Sequence, residues 1–386
     1  MSESQLRPRR IGLISSQAWS LINFRGPLIR AWVSRDIEVF ALAPDFDAES
    51  RTAVAALGAV PVDIRLDRAG MNPVRDVADL AALVRRLRAL RVDASFAYFI
   101  KPAIYGTLAA RLAGVRRRFV MIEGAGYVFS EQDDTDAWRS GAMRRLVTAL
   151  YRVALSGAQR VFFLNEDDVE LFVSQRMVKR EQVCTIGGIG VELDRFAVAP
   201  LPDGTPVFLL AARLLAHKGV GEYVEAARRI RARRPDVRFL LLGSPDLNPA
   251  SVSAAELQRW HDEGVVEWQP HVADVRPWFA QASVFVLPSW YREGVPRTIQ
   301  EAMAMGRAVI TTDMPGCRDT VMPGETGLLV RPRDVDDLVA AMERLVDDPA
   351  LVSRMGAAGR LRAEACYDVH RVNARILTAM GVSAGG

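Results

Sequence analysis

The sequence predicts an α/β protein built from two doubly wound, Rossmann-like domains, and three observations lead to that prediction. The chain has 386 residues, which is long for one hydrophobic core and typical of two domains. Apolar runs of strand length alternate with segments of helical period along the whole chain. Most of these runs are apolar at every position, as in parallel strands that helices cover on both faces.

The candidate strands fall into two series of similar length. In the first half of the chain they are, in order, Ile11–Ser15, Ile37–Ala41, Ala59–Val62, Ala94–Tyr98, Arg118–Ile122 and Arg160–Leu164. Helical patterns lie between them, such as Val74–Leu90, whose apolar residues recur at steps of three and four. In the second half the candidate strands are Val207–Ala211, Arg238–Gly243, Val265–Trp268, Val284–Leu287 and Ala308–Thr311.

A segment rich in proline separates the two series. Residues 197–206 contain three prolines and a glycine, which interrupt any regular element. The sequence therefore predicts an N-terminal domain over residues 1–196, a linker over 197–206 and a C-terminal domain over 207–365. Residues 366–386 are predicted to form a helix that returns to the first domain. Ligands of open parallel sheets bind beyond the carboxyl ends of the strands, so two domains facing across a cleft predict one substrate on each.

Composition excludes several classes of protein. Hydrophobic residues make up 50% and charged residues 25% of the chain, as in soluble globular proteins. No run of about 18 apolar residues occurs, and the first ten residues lack the apolar core of a signal peptide. Three cysteines without metal-ligand spacing predict reduced cytosolic thiols: Cys184, Cys317 and Cys366.

The net charge of +4 is unevenly distributed. Residues 1–195 carry 28 Lys+Arg against 23 Asp+Glu, a net of +5, and the remainder carries 22 against 23, a net of −1. The first half is therefore the one more suited to an anionic partner. Nucleic acid is not predicted, because the chain has neither a basic tail nor an aromatic-rich binding motif.

The sharpest chemical signal follows the strand Val284–Leu287. Glu293 lies in the loop before a helix predicted over Thr298–Met305, and Glu301 lies inside that helix. Gly294 allows close backbone approach, and the amides and dipole of a helix N-terminus form an anion site. A diphosphate there leaves Glu301 able to bind ribose hydroxyls and Glu293 able to bind sugar hydroxyls. The alternative is one glutamate that stabilises the helix dipole and one in solvent, and the spacing alone does not decide.

A second signal follows the strand Val207–Ala211. Arg213 and Lys218 come just beyond its carboxyl end, and Lys218, which precedes Gly219, is one of three lysines against 47 arginines. A planar guanidinium and a compact ammonium suit two neighbouring phosphates. The alternative is a solvated loop that carries ordinary surface charges.

These residues carry a resemblance to glycosyltransferase family 4, the retaining enzymes of the GT-B fold. The pair Glu293 and Glu301 matches the E-x7-E pattern of the family, and the pair Arg213 and Lys218 matches its R-x4-K pattern. The stretch E-G-V-P-R-T-I-Q-E-A-M-A-M-G-R-A-V-I-T-T-D-M-P-G-C-R-D-T-V resembles a subgroup that builds bacterial capsule, O-antigen and lipid-linked oligosaccharides. That subgroup includes enzymes that add N-acetylgalactosamine to polyprenyl-diphosphate-linked sugars.

The resemblance covers about residues 9–375, with smaller matches that begin at Ile100, Phe163 and Gly187. It implies an N-terminal acceptor-binding domain and a C-terminal domain that binds a nucleotide sugar, most often a UDP-sugar. Arg213 and Lys218 would hold the donor diphosphate, Glu301 the ribose and Glu293, as a catalytic residue, the transferred sugar. The backbone that would cap the phosphates comprises Gly294, Val295, Pro296, Arg297 and Thr298.

No metal or other cofactor is expected, because the arginine, the lysine and the helix terminus supply the positive charge. A formal D-x-D pattern within Asp133–Asp136 is interpreted as solvated surface of the acceptor half. Glu123 follows a strand where the subgroup has T-G-L-G-Y, near the expected acceptor hydroxyl. It is a candidate base, a candidate ligand of the acceptor sugar or a glutamate in water, and all three interpretations stay open. Gly124 and Gly126 are expected to let this loop approach the substrate.

Two further groups are candidates for the acceptor or phosphate loops. The loop after the first strand contains Asn23, Arg25 and Gly26. Lys101 and Tyr105 begin a helix after the strand Ala94–Tyr98, where an acceptor diphosphate could bind the helix terminus.

One helical segment bears on membrane contact. Trp138–Leu155 has edge aromatics, arginines and one predicted apolar face composed of Met143, Leu146, Val147, Leu150 and Ala154. A basic amphipathic helix of this kind can lie on anionic lipid, with Arg116–Arg118 extending the basic surface. A core-packed helix with solvated arginines explains the same pattern.

Taken together, the residues and the resemblance predict a metal-independent, retaining hexosyltransferase. It would move a hexose or N-acetylhexosamine from a UDP-sugar to a polyprenyl-diphosphate-linked glycan, at the inner face of the bacterial cytoplasmic membrane. One alternative is a nonhydrolysing UDP-sugar epimerase with the same two-domain architecture, although the chain lacks the histidine-rich pattern of those enzymes. Another is a non-catalytic protein that binds nucleotide sugars.

Overall fold

The computed structural model describes residues 8–66, 73–126, 129, 137–246, 248 and 250–382. The chain divides into two compact α/β units. The first comprises the residues up to Ile189 together with those from His370 onward, and the second is Gly190–Val369.

The first unit contains a seven-stranded parallel sheet in the order β3-β2-β1-β4-β5-β6-β7. Its strands are β1 (Arg10–Ile14), β2 (Glu38–Ala43), β3 (Ala59–Asp63), β4 (Ala94–Tyr98), β5 (Arg117–Ile122), β6 (Arg160–Phe163) and β7 (Val183–Thr185). The helices between them are α1 (Ala18–Asn23), α2 (Gly26–Val33), α3 (Ala48–Ala56), α4 (Pro73–Leu90), α5 (Thr107–Leu112), α6 (Ala137–Leu155) and α7 (Glu166–Ser174). A π-helical turn, Pro102–Gly106, leads into α5.

The second unit contains a six-stranded parallel sheet in the order β10-β9-β8-β11-β12-β13. Its strands are β8 (Val207–Ala211), β9 (Arg238–Leu242), β10 (Glu267–Gln269), β11 (Val284–Leu287), β12 (Ala308–Thr312) and β13 (Gly327–Val330). Its helices are α8 (Val220–Arg233), α9 (Ala254–Asp262), α10 (Arg276–Gln281), α11 (Arg297–Ala304), α12 (Val335–Asp347) and α13 (Pro349–Arg362), and a π-helical turn follows over Ala363–Tyr367. The last helix, α14 (Val369–Ala379), lies almost wholly in the first unit, where Arg375 donates to the Ile186 carbonyl oxygen at 3.2 Å.

Burial explains why the strands form where the sequence predicts them. All residues of β4, β8, β11 and β12 are buried, as expected of central parallel strands with helices on both faces. The edge strands β7 and β13 were not predicted from the sequence. The sequence gives β7 little signal, because it has three residues, V-C-T. Strand β13 reads G-L-L-V, an apolar run of only four residues that was not recognised as a strand.

The division between the units does not coincide with the proline-rich segment. It falls between Ile189 and Gly190, ahead of residues 197–206, and the return to the first unit begins at His370. Hydrogen bonds explain why residues 197–206 belong to the second unit. The buried guanidinium of Arg307 donates to the carbonyl oxygens of Ala199 at 2.7 Å and Pro200 at 3.1 Å.

Helix α6 packs on the first sheet with the face that the sequence predicts to be apolar. Val147 and Ala154 lie in a hydrophobic cluster with residues of β5, β6 and α7, whereas Leu146 is 54% exposed. The core-packing interpretation therefore applies to most of that face. Within the described part of the chain, no helix combines the length and the apolar composition needed to cross a bilayer.

The strand order of each sheet reverses direction once. The reversal falls between β1 and β4 in the first sheet and between β8 and β11 in the second. Loops that follow two such strands diverge and leave a crevice at the carboxyl edge of the sheet, where ligands of doubly wound proteins bind. The chain after β1, β4, β8 and β11 is therefore where functional side chains are expected to gather.

Candidate functional site

The switch point of the second sheet brings two predicted residues into contact. Lys218 ends a 3₁₀ turn after β8, and Glu293 lies in the loop after β11. The Lys218 Nζ atom is 2.5 Å from Glu293 Oε1, and the two side chains are only 13% and 11% exposed. A lysine and a glutamate 75 positions apart in sequence thus form a largely buried ion pair at the carboxyl edge of the sheet.

Three residues that were not predicted as site residues support this pair: Ser289, His217 and Trp290. The buried Ser289 Oγ atom lies 2.8 Å from Glu293 Oε1 and 3.1 Å from the His217 carbonyl oxygen. That carbonyl also accepts from the Trp290 amide at 3.1 Å, which joins the loop after β8 to the loop after β11. All three follow predicted strands, but nothing in their spacing distinguishes them from ordinary loop residues.

The His217 side chain is neutral at pH 7. Its ring lies 4.7 Å from the Tyr291 ring and 6.1 Å from the Trp290 ring, measured between centroids. Burial, together with the neighbouring Lys218 ammonium, lowers the pKa of His217 to about 4. The positive charge beside Glu293 is therefore supplied by Lys218 and not by the imidazole.

Two glycines allow the loops to approach this closely. Gly219 has a φ of 77°, and a Cβ there would overlap the Pro288 carbonyl oxygen at the end of β11. Gly316 has a φ of 81°, and a Cβ there would overlap the carbonyl oxygens of Glu293 and Gly294. Only glycine adopts this backbone conformation at such short range, so both positions hold the Lys218–Glu293 pair in place.

The second predicted glutamate forms a separate pair on α11. Glu301 is buried, and its Oε1 atom lies 2.9 Å from Arg297 Nε, four positions earlier on the helix. Burial raises the pKa of Glu301, and the guanidinium of Arg297 opposes that shift. The backbone of Arg297 was predicted to cap phosphates, and the contact of its side chain with Glu301 leaves that prediction untouched. The spacing of four was the signal that could have predicted this contact.

The predicted diphosphate-capping segment lies at the start of α11. Pro296 is the residue before the first helical residue, and a proline has no amide hydrogen to donate. Any hydrogen bonds from this backbone to an anion therefore come from Gly294, Val295, Arg297 and Thr298. Arg213 lies nearer the surface: its side chain is 56% exposed, with Nη1 3.8 Å from Asp246 Oδ2.

In the first unit, Arg25 and Glu123 form an ion pair beyond β1 and β5. The Arg25 guanidinium also lies 4.5 Å from the centre of the Tyr98 ring, and its Nη2 atom is 3.1 Å from the Met121 sulfur. Only 3% of the Arg25 side chain and 13% of the Glu123 side chain are exposed. The charge of the Glu123 carboxylate is therefore balanced by the Arg25 guanidinium within this cluster.

Hydroxyl groups extend this cluster. Ser20 Oγ lies 2.8 Å from Ser15 Oγ and 2.8 Å from the Tyr98 hydroxyl. Burial raises the pKa of Tyr98, so its hydroxyl stays protonated. None of these three residues was predicted as part of the site. Ser15 and Tyr98 lie at strand ends and Ser20 lies in α1, and no spacing in the sequence links them.

Lys101 and Tyr105 converge on one buried carboxylate that the sequence did not predict. Asp76 of α4 accepts from Lys101 Nζ at 3.2 Å and from the Tyr105 hydroxyl at 3.1 Å. Burial and the Asp76 charge raise the pKa of Tyr105 to about 12. The charge of Lys101 is therefore balanced within the first unit.

The remaining predicted residues of the first unit lie close to these clusters. Asn23 ends α1 and donates to the Trp19 carbonyl oxygen at 3.0 Å, and Gly26 begins α2. Gly124 and Gly126, after β5, have φ angles of 121° and 87°. The Asp133–Asp136 motif and the side chain of Trp138 lie outside the described residues.

Comparison with known proteins identifies the class. Residues 25–188 match the family described as Glycosyl transferase 4-like domain, and residues 205–348 match the family described as Glycosyl transferases group 1. The chain therefore belongs to the glycosyltransferases, in the family with this pair of domains, glycosyltransferase family 4.

Two curated relatives and one solved structure illustrate the similarity. N,N'-diacetylbacillosaminyl-diphospho-undecaprenol α-1,3-N-acetylgalactosaminyltransferase of Campylobacter jejuni is 28% identical over 89% of this chain and 90% of its own. UDP-Gal:α-D-GlcNAc-diphosphoundecaprenol α-1,3-galactosyltransferase of Escherichia coli is 25% identical, covering 72% of each chain. The crystal structure of Anabaena HepE in complex with UDP and glucose superposes with a TM-score of 0.75 at 16% identity, over 98% of this chain and 100% of that one. The predicted GT-B fold class, with two doubly wound α/β domains, is confirmed.

Proposed function

We propose that this glycosyltransferase moves a hexose or N-acetylhexosamine from a UDP-sugar to a glycan linked to polyprenyl diphosphate, with retention of configuration and without a metal. The acceptor class is supported by the two relatives whose names contain diphospho-undecaprenol or diphosphoundecaprenol. The UDP donor is supported by the name of the E. coli relative and by the ligand of HepE. The product would serve the synthesis of surface polysaccharide or lipid-linked oligosaccharide.

The contact between Lys218 and Glu293 carries this proposal. Two motifs that are remote in sequence meet at the switch point of the second sheet, with an ammonium and a carboxylate 2.5 Å apart. A nucleotide sugar is bound by the same two kinds of group side by side: a cation for its diphosphate and a hydrogen-bond acceptor for its sugar hydroxyls. Glu301, buried on the adjoining helix α11, is assigned to the ribose hydroxyls.

Charge stabilisation is the main catalytic contribution we assign to these residues. As the glycosidic bond to the donor breaks, negative charge grows on the departing diphosphate, and Lys218, Arg213 and the amides before α11 stabilise it. The sugar becomes positively charged, and the Glu293 carboxylate holds its hydroxyls. In a retaining reaction on one face of the sugar, the diphosphate itself accepts the proton of the acceptor hydroxyl.

The first unit is assigned to the acceptor. Glu123 is held by Arg25 and is proposed to accept a hydrogen bond from an acceptor hydroxyl, with Asn23 and Gly26 on the neighbouring loop. The cluster of Lys101 and Tyr105 is proposed to lie near the acceptor diphosphate, although Asp76 balances much of its charge.

We also propose peripheral contact with an anionic bilayer at the inner face of the cytoplasmic membrane. The outward stripe of α6 is apolar at helical spacing, with Leu146 54% and Val153 56% exposed and Arg145 beside them. Replacing Leu146 and Val153 by glutamate should reduce co-sedimentation with phosphatidylglycerol vesicles. Glutamate at Leu361, which is 67% exposed in the second unit, is the matched control.

A transfer assay tests the proposed function directly. A thermal-shift panel of UDP- and GDP-sugars identifies the donor, and release of nucleoside diphosphate is then measured with polyprenyl-diphosphate-linked acceptors. We expect release only when both substrates are present, and an α-linked product from an α-linked donor by NMR. Conversion of the nucleotide sugar without an acceptor would instead indicate an epimerase, and binding without any release would indicate a non-catalytic protein.

A further inference from the structure

We infer that the donor diphosphate and the Glu293 carboxylate compete for the Lys218 ammonium, so that a nucleoside diphosphate without its sugar binds together with a proton taken up at Glu293. This inference rests on the proposed function, which assigns Lys218 to the diphosphate. It adds that nucleotide binding is coupled to proton uptake at Glu293 and that the transferred sugar makes this uptake unnecessary.

The geometry shows that Lys218 already has a counter-charge. Its Nζ atom is 2.5 Å from Glu293 Oε1, and both side chains are nearly buried. Ser289 Oγ approaches the same carboxylate oxygen at 2.8 Å. An arriving phosphate therefore meets an ammonium that a carboxylate has already neutralised.

Binding of the phosphate changes this balance. Two anions on one buried ammonium repel each other, and a carboxylate that loses its cation in a buried site is costly to keep ionised. The carboxylate lowers that cost by taking up a proton, or by accepting hydrogen bonds from new donors. The hydroxyls of the transferred sugar are such donors, whereas a nucleoside diphosphate alone offers none at this position.

Two other titratable groups close to the pair, His217 and Cys317, do not change charge near pH 6.5. The pKa of His217 is about 4, so its imidazole is already neutral. Burial raises the pKa of the Cys317 thiol to about 12, so it stays protonated. The nearby guanidinium of Arg213, whose charge acts on His217, belongs to a group that proteins do not deprotonate, and the Tyr291 ring lies 5.9 Å from Lys218 Nζ. The proton is therefore assigned to Glu293.

This linkage gives the pair a role in turnover. When the sugar has left, the remaining nucleoside diphosphate has lost the hydroxyls that satisfied Glu293. Glu293 then competes again for Lys218, which favours release of the product. A site of this kind binds the complete donor in preference to the spent nucleotide.

Isothermal titration calorimetry of the full-length protein tests the inference. UDP, with GDP in parallel, is titrated at pH 6.5 in two buffers of different ionisation enthalpy, which yields the number of protons exchanged. Wild type is compared with Glu293→Gln and with Glu325→Gln, the same chemical change at an exposed loop residue. Thermal unfolding of each variant checks that it is folded.

We expect Glu293→Gln to bind UDP about tenfold more tightly than wild type, because the neutral amide no longer competes for Lys218. Wild type and Glu325→Gln should take up more protons than Glu293→Gln. Cations near the bound UDP favour its ionised phosphate, so the nucleotide itself can only release protons on binding. Net proton uptake by wild type must therefore come from the protein, and it supports the inference even if Glu293→Gln fails to fold.

Equal or weaker UDP binding by a folded Glu293→Gln, with the same proton count as wild type, would overturn the inference and leave the proposed function standing. That result would mean that Lys218 binds the phosphate and Glu293 at the same time. No binding of UDP or GDP to wild type would instead overturn the proposed function itself.

Discussion

Each sheet has a largely buried ion pair beyond the carboxyl ends of its strands, but the cation of the pair differs between the two units. In the first unit the cation is Arg25, whose planar group also lies over Tyr98 and meets Met121 as it pairs with Glu123. In the second unit the cation is Lys218, a point charge on a flexible stem that contacts Glu293. The arginine pair has a ring and a sulfur against its guanidinium, whereas the lysine pair has the Ser289 hydroxyl on its carboxylate and the Tyr291 ring 5.9 Å from its ammonium. This contrast suits the first pair to positioning and the second to binding an incoming anion.

The largest expected difference between the two pairs is in the rate of sugar transfer after each glutamate is replaced by glutamine. Glu293→Gln should reduce the rate of sugar transfer about 10³-fold, because the carboxylate is assigned to the charge of the reacting sugar. Glu123→Gln should cost only about tenfold, since an amide still accepts a hydrogen bond from Arg25. Steady-state kinetics with donor and acceptor measure both. Similar losses in the two variants would break the contrast.

Stability should show the opposite ranking. Arg25→Met should lower the free energy of unfolding by about 3 kcal/mol, because Glu123 is left in a buried site without its counter-charge. Lys218→Met should cost less, about 1–2 kcal/mol, because Ser289 still reaches Glu293. Guanidinium unfolding monitored by circular dichroism measures both values. The double variant Arg25→Met/Glu123→Gln should regain part of the loss, and no recovery would argue against the pair as its cause.

Nucleotide binding should depend on the lysine pair alone. Lys218→Ala should weaken UDP binding by about 1.5–3 kcal/mol if the ammonium contacts a phosphate. Lys101→Ala is the matched change in the first unit, and we expect it to leave UDP affinity unchanged because Asp76 balances that lysine. Calorimetric titration gives both affinities, and an unchanged affinity of Lys218→Ala would contradict its role.

The last prediction concerns the pH dependence of stability through His217, which belongs to neither ion pair. The pKa of His217 is lowered from 6.5 to about 4 in the folded protein, so between these values the unfolded chain binds a proton that the folded chain does not. Stability is therefore lost as the pH falls through this window. His217→Phe removes the contribution, and its free energy of unfolding should fall less steeply between pH 6.5 and 4.5. Parallel slopes of wild type and variant would indicate an ordinary histidine.

The sequence predicts most of the fold because burial on both faces leaves a continuous apolar signal. That signal located the central strands of both sheets, including β8 and β11, which position Lys218 and Glu293. It failed at β7 and β13, which are only three and four residues long, although it found the other two edge strands, β3 and β10. The boundary between the units, after Ile189, was not predicted. The prolines of residues 197–206 suggested a linker, whereas hydrogen bonds from Arg307 attach that segment to the second unit.

Fixed spacing is what singled out candidate site residues in the sequence. The two glutamates, Arg213 and Lys218 were predicted in this way and stay predictions as donor-binding residues, whereas their contacts were not predicted. The pairing of Lys218 with Glu293 joins residues that are 75 positions apart, and the support from Ser289 depends on a hydroxyl that no pattern distinguishes. Likewise Asp76, which balances the charge of Lys101, lies on α4, 25 positions before the lysine. Such contacts arise from tertiary packing and not from local sequence.

A crystal structure of the protein with UDP bound tests the account most directly. We predict a phosphate oxygen within about 3 Å of Lys218 Nζ, the ribose at Glu301, and Glu293 separated from the lysine. Nucleotide bound beyond β1 and β4 of the first sheet, with the contact between Lys218 and Glu293 intact, would contradict it.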